Sequence, residues 1–130
     1  MKLLDWDQGD RLGMFEWLLG KRRETAGGTS KSNTLRPADV LNLLQSGAKV
    51  TILDVREQHE FRAGHIKGAQ LIPLGQLGKR THEIRDDRPV ITVCRSGNRS
   101  AQAARLLRSK GFDVQNMVGG MSQWPGKIAK

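Results

Sequence analysis

Between Val90 and Lys110 the chain passes from an apolar run into a helix-patterned stretch almost without pause. The run Pro89-Val-Ile-Thr-Val-Cys94 is rich in β-branched residues and reads as a buried strand. A tight loop of small and polar residues follows. A helix then runs from Asn98 to Lys110, with Ala101, Ala104, Leu106 and Leu107 along one side and Gly111 ending it. The same alternation recurs along the rest of the body. Thr34-Leu-Arg-Pro-Ala-Asp39 opens a helix, with Pro37 in its first turn, Val40, Leu41 and Leu44 at helical spacing and Gly47 at its end. Lys49–Asp54 is a second strand, and Glu57–Phe61 a helical turn stopped by Gly64. Gln70–Pro73 is a short strand closed by its proline. Leu74–Ile84 reads as a polar helix, Asp113–Val118 as a last strand and Met121–Trp124 as a closing turn before Pro125. Strands alternating with helices at short spacing predict an α/β fold. We expect a mainly parallel sheet of about five short strands, covered by helices on both faces.

The chain's 130 residues suit one domain. Hydrophobic residues make up 37% and aromatics 5%, so the core must rest on Leu, Ile, Val and Ala. Residues 1–33 differ from the remainder. They hold Trp6, Met14, Phe15, Trp17, Leu18 and Leu19 among charges, then the polar stretch Thr25–Asn33, which reads as a linker. We divide the chain into an N-terminal extension, 1–33, and a domain, 34–130. A short amphipathic helix is expected around Arg11 to Arg22, with Phe15, Leu18 and Leu19 on one face. It packs on its own domain or a second subunit, or it anchors to a protein partner or a membrane surface.

No apolar run reaches the roughly 18 residues needed to span a bilayer, and Leu12–Leu19 lacks a secretory cleavage pattern. The expectation is a soluble, cytoplasmic protein. The single cysteine, Cys94, excludes an internal disulfide and a cysteine-only zinc site. The three histidines are scattered without metal-ligand spacing, so no metal is expected. The formal net charge is +9, and most of the excess lies beyond residue 33. Such a body suits an anionic surface or a small anionic substrate. With no nucleic-acid motif and no aromatic platform among the basic residues, nucleic acid is the weaker partner.

Cys94 ends a strand of a parallel sheet, which is where ligands of such sheets bind. A cysteine there can be a small buried hydrophobe. The loop after it argues for chemistry instead. Arg95, Ser96, Gly97, Asn98, Arg99 and Ser100 combine two cations, a turn-permitting glycine and small polar residues at a helix start. Backbone N–H groups of that loop and the helix terminus converge where the sulfur lies, forming an anion cradle. Each feature favours thiolate over thiol, so the Cys94 pKa is expected to be depressed.

Five pieces in order now resemble the single-domain rhodaneses. They are Leu53-Asp54-Val55-Arg56, Glu60-Phe61, Gly64-His65-Ile66-Lys67-Gly68-Ala69, Cys94-Arg-Ser-Gly-Asn-Arg-Ser100 and Gly119-Gly-Met-Ser-Gln-Trp124. The resemblance covers about Thr34 to Trp124. Lys67 departs from it, standing where the family commonly has proline. The resemblance implies a sulfurtransferase. Cys94 would take the outer sulfur of a donor such as thiosulfate, hold it as a persulfide and pass it to cyanide or a thiol. Ser96, Gly97, Asn98 and Ser100 would line the cradle, and Arg95 and Arg99 would attract the dianionic donor and hold departing sulfite. No cofactor is implied.

The resemblance places Asp54 and Arg56 near a central hydrogen-bond network, holding the Glu57–His65 connection or tuning the site's charge. Glu60 is expected to partner an arginine, and Trp124 to pack the closing turn. His65 is expected to bond backbone through its ring rather than act as a base. Two other readings compete. One is a persulfide carrier or docking module serving a specific protein. The other is a cysteine-loop phosphatase or arsenate reductase, which needs five residues between cysteine and arginine. Arg99 is only the fifth residue after Cys94, so that loop is one residue short.

Overall fold

Five short strands form one parallel sheet, in the spatial order Thr34–Leu35, Val114–Met117, Val90–Val93, Thr51–Asp54 and Gln70–Leu71. The structure is a computed structural model, and it describes residues 33–130. The helix expected around Arg11 to Arg22 and the linker lie outside those residues. In chain order the elements are β1 (Thr34–Leu35), α1 (Pro37–Gln45), β2 (Thr51–Asp54), α2 (Gln58–Ala63), β3 (Gln70–Leu71), α3 (Leu74–Arg80), β4 (Val90–Val93), α4 (Asn98–Ser109) and β5 (Val114–Met117). Short 3₁₀ turns cover Thr81–Glu83 and Met121–Gln123. Among the described residues no helix is long and apolar enough to cross a membrane.

Side chains alternate between the two sheet faces. Leu53, Val55, Val90, Cys94 and Val114 point to one face and pack with Leu77 of α3 and Ala103, Ala104 and Leu107 of α4. Ile52, Ile91 and Val93 point to the other and are equally buried. All four residues of β4 are buried, as a central strand covered on both sides requires. The expected α/β architecture is therefore the one found.

Two segments differ in kind from the sequence reading, and the other elements by one or two residues at their ends. Thr34 and Leu35 do not open a helix; they pair with Asn116 and Met117 as the fifth strand. Two residues carry no readable period, and only their β5 partner makes them a strand. The helix then starts at Pro37, where Asp39 accepts hydrogen bonds from the Arg36 backbone N–H and guanidinium. The stretch 74–84 also breaks. Its α-helix ends at Arg80, and a 3₁₀ turn carries the chain to Ile84.

Candidate active site

Cys94 follows the last residue of β4 and is 1% exposed. The strand delivers the sulfur to the carboxyl edge of the sheet, and the turn into α4 closes around it. Two backbone N–H groups point at Sγ, from Gly97 at 3.0 Å and Ser100 at 3.3 Å. Burial pushes the Cys94 thiol pKa up. The Ser100 hydroxyl and the N–H groups of Ser100, Gly97 and Ser96 outweigh burial, and the net result is a lowered pKa. The thiol is thereby held toward its ionised form.

Neighbouring elements fix the loop in place. Gly97 has φ 106°, and a Cβ there would come within 3.1 Å of the Gly119 nitrogen. Behind the loop, the Thr92 hydroxyl donates to the Ser100 carbonyl at 2.9 Å, and the Asn116 amide donates to the Gly97 carbonyl at 3.2 Å. On its other flank the Met121 and Ser122 N–H groups donate to the Cys94 and Arg95 carbonyls at 2.8 and 3.0 Å. Carbonyl oxygens that would repel a thiolate are thus engaged elsewhere, which leaves N–H groups facing the sulfur. Sequence reasoning missed Thr92 and Asn116. A threonine inside Val-Ile-Thr-Val, and an asparagine at an inward position of the last strand, were the available signals.

The two loop arginines separate. Arg99 is bound by Glu60 through two hydrogen bonds of 2.8 and 2.9 Å. The Arg99 guanidinium, acting through those bonds, lowers the Glu60 pKa to about 2. Arg95 is exposed and makes no ion pair among the described residues. Ser96 and Asn98 are exposed beside it, while Gly97 and Ser100 are buried.

Asp54 and Arg56 form a buried strut next to this edge. Asp54 is 0% and Arg56 6% exposed. Two parallel hydrogen bonds of 2.9 and 2.8 Å join them, and Arg56 also donates to the Gly64 carbonyl at 2.8 Å. That last bond ties the two ends of the Glu57–His65 connection. His65 stacks on Phe61 at 3.7 Å, and its Nδ1 lies 2.8 Å from the Phe61 carbonyl. A ring nitrogen facing a carbonyl carries the proton, so Nδ1 donates. The Trp124 indole donates to the Lys127 carbonyl at 3.2 Å.

Comparison with known proteins agrees with this geometry. The model of the "Rhodanese-like domain" family matches residues 36–127. The chain belongs to that family. A relative of this rhodanese-like chain is "Uncharacterized protein YqhL" of Bacillus subtilis (strain 168), 48% identical over 81 residues, which are 62% of this chain and 64% of that protein. The match thus spans slightly less than two thirds of YqhL. "Thiosulfate sulfurtransferase GlpE" of Pseudomonas fluorescens (strain SBW25) is 35% identical over 96 residues, covering 73% of this chain and 86% of GlpE. Among solved structures, a rhodanese-like domain protein from Staphylococcus aureus superposes with a TM-score of 0.69 at 30% identity, covering 75% of this chain and 97% of that one.

Proposed function

We propose that the chain is a sulfurtransferase working through a persulfide on Cys94. The observation that carries this reading is the sulfur held by the Gly97 and Ser100 N–H groups at 3.0 and 3.3 Å. The cradle favours an anion on sulfur, and both the thiolate and the persulfide are anions. In the first step the Cys94 thiolate attacks the outer sulfur of thiosulfate. An S–S bond forms to Sγ, the donor's own S–S bond breaks, and sulfite leaves with its electron pair. In the second step cyanide or a thiolate attacks the outer sulfur, and the pair of the broken bond returns to Sγ. Charge balances in both steps, and neither requires a metal or an organic cofactor.

Arg95 is the proposed recruiting cation for the anionic donor, because no carboxylate among the described residues neutralises it. Arg99 contributes its field through the Glu60 pair and positions the start of α4. Asp54, Arg56 and His65 hold the backbone beside the loop. The cytoplasm is the proposed compartment, since reducing conditions keep a lone thiol available. Residues 1–33 are the proposed contact for a second copy or a protein partner.

The test is to incubate the protein with thiosulfate and cyanide and follow thiocyanate, with Cys94→Ala alongside. Formation that the variant abolishes supports the reading. No thiocyanate, together with no added sulfur on Cys94 by intact mass after exposure to several sulfane donors, overturns it. A persulfide that forms but passes only to a protein thiol would replace small-molecule turnover with the carrier role.

A further inference from the structure

Helix α2 is held from outside itself. It spans six residues, none of them buried. A helix that short is not stable alone in water. Within it the Glu60 carboxylate accepts the Glu57 N–H at 2.8 Å as well as both Arg99 bonds. At its far end the Gly64 carbonyl takes the Arg56 bond. A further contact comes from much later in the chain. His65 and Ala129 exchange two backbone hydrogen bonds, of 3.0 and 2.8 Å, as an isolated antiparallel pair. Ile128 lies so close to Gly64 that a Cβ there would come within 2.6 Å of its Cδ1. Ile128 is 51% exposed, so the core does not account for its place.

The stretch that reaches α2 also grips the cysteine loop. The Met121 and Ser122 N–H groups donate to the Cys94 and Arg95 carbonyls, and the Trp124 indole holds the Lys127 carbonyl just before Ile128. Residues 121–129 thus bind both elements that the Glu60–Arg99 pair must bring together.

We infer, resting on the sulfur-transfer reading, that Ile128 and Ala129 are positioning residues that keep Glu60 on Arg99 and so mask one cation from the anionic donor. Once freed from them, α2 carries Glu60 away from Arg99. A second cation without a carboxylate partner then stands with Arg95 beside the sulfur, and a dianionic donor binds more tightly. The start of α4, no longer tied to α2, holds the N–H groups less firmly, and turnover of the bound donor slows. The charges facing Glu60 are Arg99 of α4 and Arg56 beyond β2, and Arg99 in turn faces Cys94 and Glu57.

The experiment compares wild type, Ile128→Ala, Ile128→Val and Ala129→Pro, the last removing the N–H that His65 accepts. The Glu60 carboxyl carbon is titrated by NMR from neutral pH to about pH 3, with Glu60→Gln to assign its signal. Thiosulfate kinetics are measured at low ionic strength. Wild-type Glu60 should stay ionised over that range, its pKa being about 2. Alanine and proline should raise the Glu60 pKa by about one unit, tenfold in proton affinity. They should lower the thiosulfate KM about threefold and kcat by a similar factor. Valine should keep all three values near wild type. Glu60 unmoved in both the alanine and the proline variants overturns the inference, whatever happens to melting temperature. A KM that is unchanged or raised while Glu60 moves overturns the masking of Arg99. If wild type itself forms no thiocyanate, the sulfur-transfer reading fails, and the Glu60 titration alone decides whether Ile128 and Ala129 position that carboxylate.

Discussion

Glu60 and Arg99, 39 residues apart in the chain, meet in a two-point ion pair of 2.8 and 2.9 Å. The pair ties α2 to the first turn of α4, immediately beside the loop that carries Cys94. It leaves Arg95 as the unneutralised cation of that loop among the described residues. Two arginines that look equivalent in the sequence therefore have different work.

Glu60→Gln should weaken the fold. The carboxylate pKa is depressed, so its contribution is fully present above the unfolded value near 4.5 and is lost as pH falls through the folded value of about 2. Both side chains retain some contact with solvent, which limits the effect to about 1 kcal/mol. Urea titrations of both proteins should give a constant difference from neutral pH down to about pH 5, shrinking toward pH 2. A difference independent of pH across that range would show that the ion pair contributes nothing.

Arg95→Ala should impair capture of thiosulfate without touching the fold. At low ionic strength kcat/KM is expected to fall about fivefold, because one exposed cation is lost from the mouth of the site. Added salt should narrow the gap, and the melting temperature should stay the same. A salt-independent loss would assign Arg95 a contact role rather than steering.

The Cys94 thiol should alkylate with a midpoint below that of an ordinary cysteine, because the N–H groups and the Ser100 hydroxyl outweigh burial. The same shift bears on stability. The folded state binds fewer protons than the unfolded state between the lowered pKa and the ordinary thiol value near 8.5. Stability relative to Cys94→Ala should therefore rise with pH through that window and hold above it. Denaturation of both proteins from pH 6 to 9 checks the sign.

Two glycine substitutions should move stability in opposite directions. Gly120 has φ 58°, and a Cβ there would collide with the Arg95 carbonyl group. Gly120→Ala should lose about 2 kcal/mol or more, and activity with it, because that backbone is part of the cysteine loop. Gly75 lies exposed in α3 with open space where its Cβ would stand. Gly75→Ala should gain about 0.5–1 kcal/mol, since alanine loses less backbone entropy in a helix. Chemical denaturation of the pair measures both.

The alternation of strands and helices, the position of Cys94 at a strand end and the anion cradle were legible in the sequence. They follow from local properties: side-chain period, β-branching, and the loop chemistry of Arg-Ser-Gly-Asn. Glu60 was legible as the partner of some arginine, but not of which one. The two-residue strand β1 was not legible, because it exists only through its pairing with Asn116 and Met117. Nor were Thr92 and Asn116, which matter because they lie behind the loop and bond its carbonyls. Residue types and local spacing by themselves determined the fold class and the place of the cysteine at a strand end. Tertiary structure alone decided that Arg99 is paired while Arg95 is not among the described residues, and that the Ser100 N–H reaches the sulfur. The reason is physical: charge neutralisation and hydrogen-bond satisfaction depend on distances of about 3 Å. Those distances are set by how the sheet brings distant segments together, not by their order along the chain.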